Sequence, residues 1–118
     1  MKLLRVLCAA LLAGALASAP AADRLVTPSY EVSIEVRCAE GVVACDDVRY
    51  TGVHRATGKS ITLRGRSVHT RCADGVTPCR FLGHVFRSGD ARYMVWESGV
   101  LEVRRGARLV LQEQGAWQ

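Results

Sequence analysis

Two nine-residue segments of this chain are near copies of each other, and each carries a pair of cysteines. The first, Arg37–Cys45, has the sequence RCAEGVVAC, and the second, Arg71–Cys79, has RCADGVTPC, 34 positions later. Six of the nine positions are identical, and a seventh exchanges glutamate for aspartate. An acidic residue followed by glycine is typical of a tight turn. The repeat therefore predicts two similar turns, each flanked by two cysteines.

Residues 1–22 have the order of a secretory signal peptide. Lys2 and Arg5 supply a positive start, a leucine-rich apolar run follows, and small residues close the segment. The alternative is a retained membrane anchor, but the apolar run is shorter than the roughly 20 residues needed to span a bilayer. We expect cleavage after Ala21 or Ala22, which removes Cys8 and predicts a periplasmic or secreted protein without stable membrane insertion.

Removal of the signal leaves four cysteines, Cys38, Cys45, Cys72 and Cys79, and an even number in a short exported chain implies disulfides. The repeat favours local pairing, Cys38 with Cys45 and Cys72 with Cys79, since each bond would then clip one turn. Cross-pairing of the two segments remains the alternative. Zinc is a poor match, because its cysteine ligands usually have two to four residues between them rather than six.

The rest of the chain is dominated by short strands. From Tyr30 to Cys38 the apolar residues alternate with polar ones, which is typical of a half-buried strand. Six further strands are predicted between glycine-containing turns, at residues 48–54, 60–70, 80–87, 92–97, 100–104 and 108–113. We therefore predict an all-β fold: a small antiparallel meander closed, or nearly closed, into a disulfide-stapled barrel. Residues 23–29 are expected to form an extended arm, and residues 30–118 a single β domain.

Composition narrows the possible functions. Without Lys2 and Arg5, fourteen cations face eleven acids, so the net charge falls from +5 to +3, and the cations form no dense run. Nucleic acid is therefore not predicted as a partner. The chain contains no nucleophile elbow, phosphate-binding loop or zinc-protease helix, so we predict neither an enzyme nor a cofactor. The barrel is expected to be filled by its own side chains.

Three histidines define the alternative hypothesis of a metal-binding envelope protein. His54, His69 and His84 fall on three different predicted strands and would form a copper or zinc site if they converged. The simpler interpretation is that each is satisfied locally on the surface or at an edge. A structural envelope protein without a ligand is the other alternative.

One local pattern points to a partner. The stretch Phe86–Tyr93, FRSGDARY, followed by Trp96–Gly99, WESG, resembles part of the bacterial periplasmic inhibitors of C-type lysozyme. That resemblance implies a small exported β-barrel whose Ser-Gly loop enters the cleft of a lysozyme-like enzyme. It nominates Ser88, Arg92 and Tyr93 as binding residues, with a cation and hydroxyls meeting carboxylates of the partner. The signal peptide, the disulfide-clipped turns and the absence of catalytic motifs make an exported, non-catalytic binding protein of the bacterial envelope the leading hypothesis, and the resemblance adds that it inhibits or protects another protein.

Overall fold

The computed structural model describes residues 22–118, and these residues form one antiparallel sheet of nine strands. The predicted signal peptide lies outside the described residues apart from Ala22. The strands are β1 Asp23–Val26, β2 Tyr30–Val36, β3 Val48–His54, β4 Ser60–Arg71, β5 Pro78–Ser88, β6 Ala91–Trp96, β7 Val100–Arg105, β8 Arg108–Gln114 and β9 Ala116–Trp117. The all-β prediction is confirmed, and the expected arm over 23–29 contains β1, which pairs with β2.

The end of the chain nearly closes the sheet into a barrel. Each strand from β1 to β8 pairs with its neighbour in sequence, and β9 returns to pair with β1. Gly115 lies at the transition: its N–H donates to the carbonyl of Gly99 on the β7 side, whereas the N–H of Gln118 donates to Arg24 on the β1 side. One continuous stretch of chain thus bonds to both edges of the meander. This closure protects edges that would otherwise be free to pair with another chain.

The barrel interior is built from the inward-facing positions of β1 to β3 and β5 to β7, with the partly buried Ile61 and Leu63 of β4 packed against them. Its buried apolar side chains are those of Leu25, Val32, Ile34, Val48, Tyr50, Phe86, Val95 and Leu101. Alternation along β2 therefore buries Val32 and Ile34 as the sequence predicts. Val36 differs, because it lies at the end of β2 and is 45% exposed.

Both disulfides pair locally, as the repeat predicts. Cys38 bonds to Cys45 and Cys72 to Cys79, each across a sequence separation of seven. Gly41 and Gly75 occupy matching turn positions at φ of 91° and 72°, a region that side chains with a Cβ rarely adopt. The acidic-glycine signal therefore marks the turn in each copy.

Candidate functional site

The two ends of the barrel differ in their connections. Short turns at residues 27–29, 55–59, 89–90 and 106–107 surround one end, here called the open end. The longer loops at residues 37–47 and 72–77, together with the turn at 97–99, surround the other, here called the disulfide end. Both disulfides lie at the same end because an antiparallel meander returns to a given end at every second connection. The open end is left without a covalent staple.

A cavity of about 620 Å³ occupies the open end. Its volume lies within the roughly 300–1,000 Å³ of typical ligand pockets. The sequence predicted a barrel filled by its own side chains, and the structure differs at this end. The walls are formed by Tyr30, Tyr50, His54, Thr57, Lys59, Ser60, Ile61, Ala91, Tyr93, Val103, Arg105, Val110 and Leu111.

Tyrosines form the aromatic part of this cavity. The rings of Tyr50 and Tyr93 lie 5.6 Å apart, and Tyr50 also packs against Phe86 at 5.1 Å. Burial raises the pKa of the Tyr50 phenol, and the neighbouring phenol of Tyr93 raises it further. Tyr50 therefore stays protonated at every pH at which the protein would work. Such a wall offers apolar ring faces together with neutral hydroxyl groups.

Cations and hydroxyls form the rim of the open end. Lys59 and Arg105 bring positive charge to the lining, and Thr57 and Ser60 add hydroxyls. Arg105 is held in place by Asp90, whose carboxylate lies 3.0 Å from the Arg105 Nη1 atom. Both partners of this pair are largely exposed, so the interaction positions the guanidinium while adding little stability. The rim therefore combines hydroxyl groups with the positive charge of Lys59 and with an Arg105 guanidinium that is already paired with Asp90.

The structure divides the residues nominated by the lysozyme-inhibitor resemblance between two faces. Ser88 and Ala91 pair at the end of the β5–β6 hairpin, and Gly89 and Asp90 form its tip at the rim. Tyr93 points into the cavity. Arg92 is exposed on the outer surface, because neighbouring residues of a strand point to opposite faces. Ser88 and Tyr93 thus share the inner side of the rim, and Arg92 lies on the other side.

The three histidines do not come together. His54 lies at the open end, where its ring packs against Tyr30 at 5.1 Å. His84 lies at the opposite end, where it lines a cavity of about 280 Å³ with Phe81 and Trp117, and His69 packs on Phe81 at 5.3 Å. Within residues 22–118 no group of three or more histidine, cysteine, aspartate or glutamate side chains is placed to hold a metal ion.

His84 and Trp117 are the most distinctive side chains of the disulfide end. Burial lowers the pKa of His84, and Asp23 nearby opposes part of that effect. Trp117 is 39% exposed, and its indole N–H donates to the backbone carbonyl of Glu97 at 2.8 Å. Trp117 thus caps one side of this end while keeping part of its ring in solvent.

The described residues define a small antiparallel β-barrel with two local disulfides and one open, aromatic-lined end. No known protein family, curated protein or solved structure matches the chain. No helix long and apolar enough to cross a membrane occurs between residues 22 and 118. The two disulfides fit a protein that resides outside the cytoplasm, where the bonds can form and persist.

Proposed function

We propose that this protein is a non-catalytic binding protein of the bacterial envelope, periplasmic or secreted, that acts on another protein as an inhibitor or protector. The observation that supports this proposal is the open end, where an aromatic cavity of about 620 Å³ lies beside a cationic, hydroxyl-bearing rim. Aromatic anchors surrounded by polar rims are typical of protein-binding surfaces.

The β5–β6 hairpin is the part of the rim that would contact the partner first. Its tip carries Gly89 and Asp90, and the hydroxyl of Ser88 and the ring of Tyr93 lie just behind. Arg105 joins this hairpin through its ion pair with Asp90. A lysozyme-like enzyme, with carboxylates in its cleft, has the charge that such a rim would attract.

The test is a lysozyme-protection assay with the exported, disulfide-bonded protein. We expect micromolar protein to slow cell-wall lysis by a C-type lysozyme, and Tyr93→Ala to weaken this by more than about tenfold, as is typical of a central aromatic anchor. Tyr93→Phe, which keeps the ring, is the matched control and should retain most of the effect. The lysozyme proposal is wrong if the native protein leaves the lysis rate unchanged.

A further inference from the structure

Five arginines form a row around the outside of the barrel, one on each of five consecutive strands. Cross-strand pairing places Arg49 opposite Arg64, and Arg92 opposite both Arg87 and Arg104. The pairing of Gly65 with Phe86 sets Arg64 level with Arg87 and makes the row continuous. The arginine row therefore consists of Arg49 on β3, Arg64 on β4, Arg87 on β5, Arg92 on β6 and Arg104 on β7.

The row lies on the outer face because its strand neighbours face inward. Tyr50, Phe86 and Val103 are buried beside Arg49, Arg87 and Arg104, respectively. Residues of one strand alternate between faces, so these arginines point away from the core. Arg66, two positions beyond Arg64, joins them on the same face. A groove of about 340 Å³ collects the side chains of Arg64, Arg66, Arg87 and Arg92, with Asp46 also in its lining.

Acidic neighbours neutralise the two ends of this surface more than its centre. Glu35 lies 3.9 Å from Arg49, Asp47 lies 3.4 Å from Arg64, and Glu102 lies 2.9 Å from Arg104. Between residues 22 and 118, no carboxylate lies within salt-bridge distance of Arg66, Arg87 or Arg92, and these three side chains make no hydrogen bond. The centre of the groove therefore carries three exposed guanidinium groups available to a ligand.

Like charges directly opposite each other on paired strands destabilise a sheet. Arg92 has an arginine on both neighbouring strands: Arg87, which has no carboxylate partner among the described residues, and Arg104, whose charge Glu102 partly offsets. An anionic ligand would remove the repulsion by bridging the guanidinium groups, which donate hydrogen bonds in a fork that suits carboxylate, sulfate or phosphate oxygens. The arginine row therefore lowers the stability of the ligand-free protein, and a bound polyanion would relieve that loss.

We propose that the arginine row binds an acidic polysaccharide laid across strands β3 to β7. Neighbouring strands are about 4.8 Å apart, so the row spans about 19 Å with one guanidinium per strand. A sugar ring advances its chain by a similar length, so the residue repeat of a glycan is close to the strand spacing. An extended peptide advances by about 3.3 Å per residue, so its residue repeat does not match the strands.

The shape and lining of the surface disfavour two other polyanions. Five consecutive strands of a barrel curve away from any plane, so a flat lipid surface would reach the middle of the row and miss its ends. Single-stranded nucleic acid depends on aromatic side chains that stack on its bases. The one aromatic residue in the lining of the groove is Phe86, whose ring is buried in the core. A flexible glycan can follow the curved outer surface, and its binding does not depend on stacking against aromatic side chains.

The experiment is calorimetric titration of the disulfide-bonded protein with oligogalacturonate, a uronic-acid polymer, at low and high salt. We expect binding that weakens with salt, whereas neutral dextran should not bind. Arg87→Gln with Arg92→Gln, the two arginines at the centre of the row, should weaken binding at least about tenfold, since two charged hydrogen-bonding groups are lost, and lower the salt slope by about two. The matched control is Arg37→Gln with Arg80→Gln, which removes two exposed arginines outside the row.

The outcomes separate this proposal from its rivals and from the proposed function. Equal losses in the two double variants, or no binding of oligogalacturonate, would overturn it. So would tighter binding to polyglutamate, to anionic phosphatidylglycerol vesicles or to single-stranded DNA. Tyr93→Ala should leave oligogalacturonate binding unchanged, because Tyr93 faces the cavity of the open end. A failure of the lysozyme-protection assay would therefore leave the prediction of oligogalacturonate binding unaffected. A failure to bind oligogalacturonate would likewise leave the lysozyme proposal unaffected.

Discussion

The carboxylate of Glu113 accepts hydrogen bonds from both the backbone N–H and the hydroxyl of Ser29, at 3.1 and 2.7 Å. The hydroxyl of Thr27 donates a third bond at 2.7 Å. Glu113 lies on β8 and its donors lie in the β1–β2 turn, so these bonds join the last long strand to the first hairpin. They support the barrel where β9 takes over the pairing with β1.

Glu113→Gln should therefore destabilise the barrel, most strongly near neutral pH. We expect a loss of roughly 1–2 kcal/mol in the free energy of unfolding, after allowance for the partial exposure of this carboxylate. The measurement is urea denaturation followed by tryptophan fluorescence. The conservative control is Glu97→Gln on the exposed turn of the disulfide end, where no comparable loss is expected.

Glu113 should also contribute to acid sensitivity. Burial would raise its pKa, but the hydrogen bonds from Ser29 and Thr27, with the nearby His54, outweigh burial and hold the pKa below its usual value. A lowered pKa in the folded state stabilises the protein above the unfolded pKa, and this contribution is lost as pH falls through the folded value. The difference in unfolding free energy between native protein and Glu113→Gln should therefore shrink below about pH 4.5. A difference that stays constant down to pH 2 would contradict this mechanism.

The two disulfides should differ in their contribution to stability although they close loops of equal length. On the chain-entropy account, each contributes about 2–3 kcal/mol. Cys45 is also buried in the core at 4% exposure, and its backbone N–H donates a hydrogen bond to the Ser67 hydroxyl oxygen at 2.9 Å, whereas Cys79 is exposed. Replacing Cys38 and Cys45 by alanine should lower the melting temperature more than replacing Cys72 and Cys79. Equal shifts would mean that burial adds nothing to the loop-closure effect.

The fold was predictable because its signals are local. The alternation from Tyr30 sets the inner face of β2, and the repeated Cys-x6-Cys segment indicates both disulfide-clipped loops. The copies still differ in detail. Asp74 accepts hydrogen bonds from the backbone N–H groups of Val76 and Thr77, whereas Glu40, with its longer side chain, makes no such bond. β1 and β9 were missed as strands because each is short and gains its order from pairing, β1 with β2 and β9 with β1.

The binding surfaces were less predictable because they depend on register. The open-end cavity combines Tyr30, Tyr50 and Tyr93 from three strands, and their convergence follows from the barrel's closure rather than from any sequence spacing. The arginine row is likewise scattered from position 49 to position 104 in the sequence. No local pattern marks the row, because one exposed arginine on a strand is typical of any solvent-facing strand.

His84 should make the protein less stable in mild acid. Burial lowers its pKa, so the folded state resists the proton that the unfolded state accepts. The neutral imidazole contributes its full stabilisation when the pH is above the pKa that His84 has in the unfolded state. That contribution is lost as the pH falls through the lower pKa that His84 has in the folded state. His84→Phe should therefore flatten the stability curve below about pH 6.5. The check is urea denaturation at closely spaced pH values, and an unchanged slope in His84→Phe would rule out this origin.

Arg92→Gln should stabilise the free protein. Arg92 lies directly opposite Arg87 and Arg104, and because Arg104 is already paired with Glu102, neutralising Arg92 chiefly removes its repulsion with Arg87. We expect the free energy of unfolding in low salt to rise by roughly 0.2–1 kcal/mol. Salt screens exposed charges, so the gain should shrink as ionic strength approaches about 1 M.

Arg80→Gln, which removes an exposed arginine outside the row, provides the reference for the general effect of one less charge. A stabilisation equal to that of Arg80→Gln, or one that persists in high salt, would show that the arginine row is not repelling itself. A stabilising substitution that also weakens oligogalacturonate binding would mean that the native arginine favours binding over folding stability.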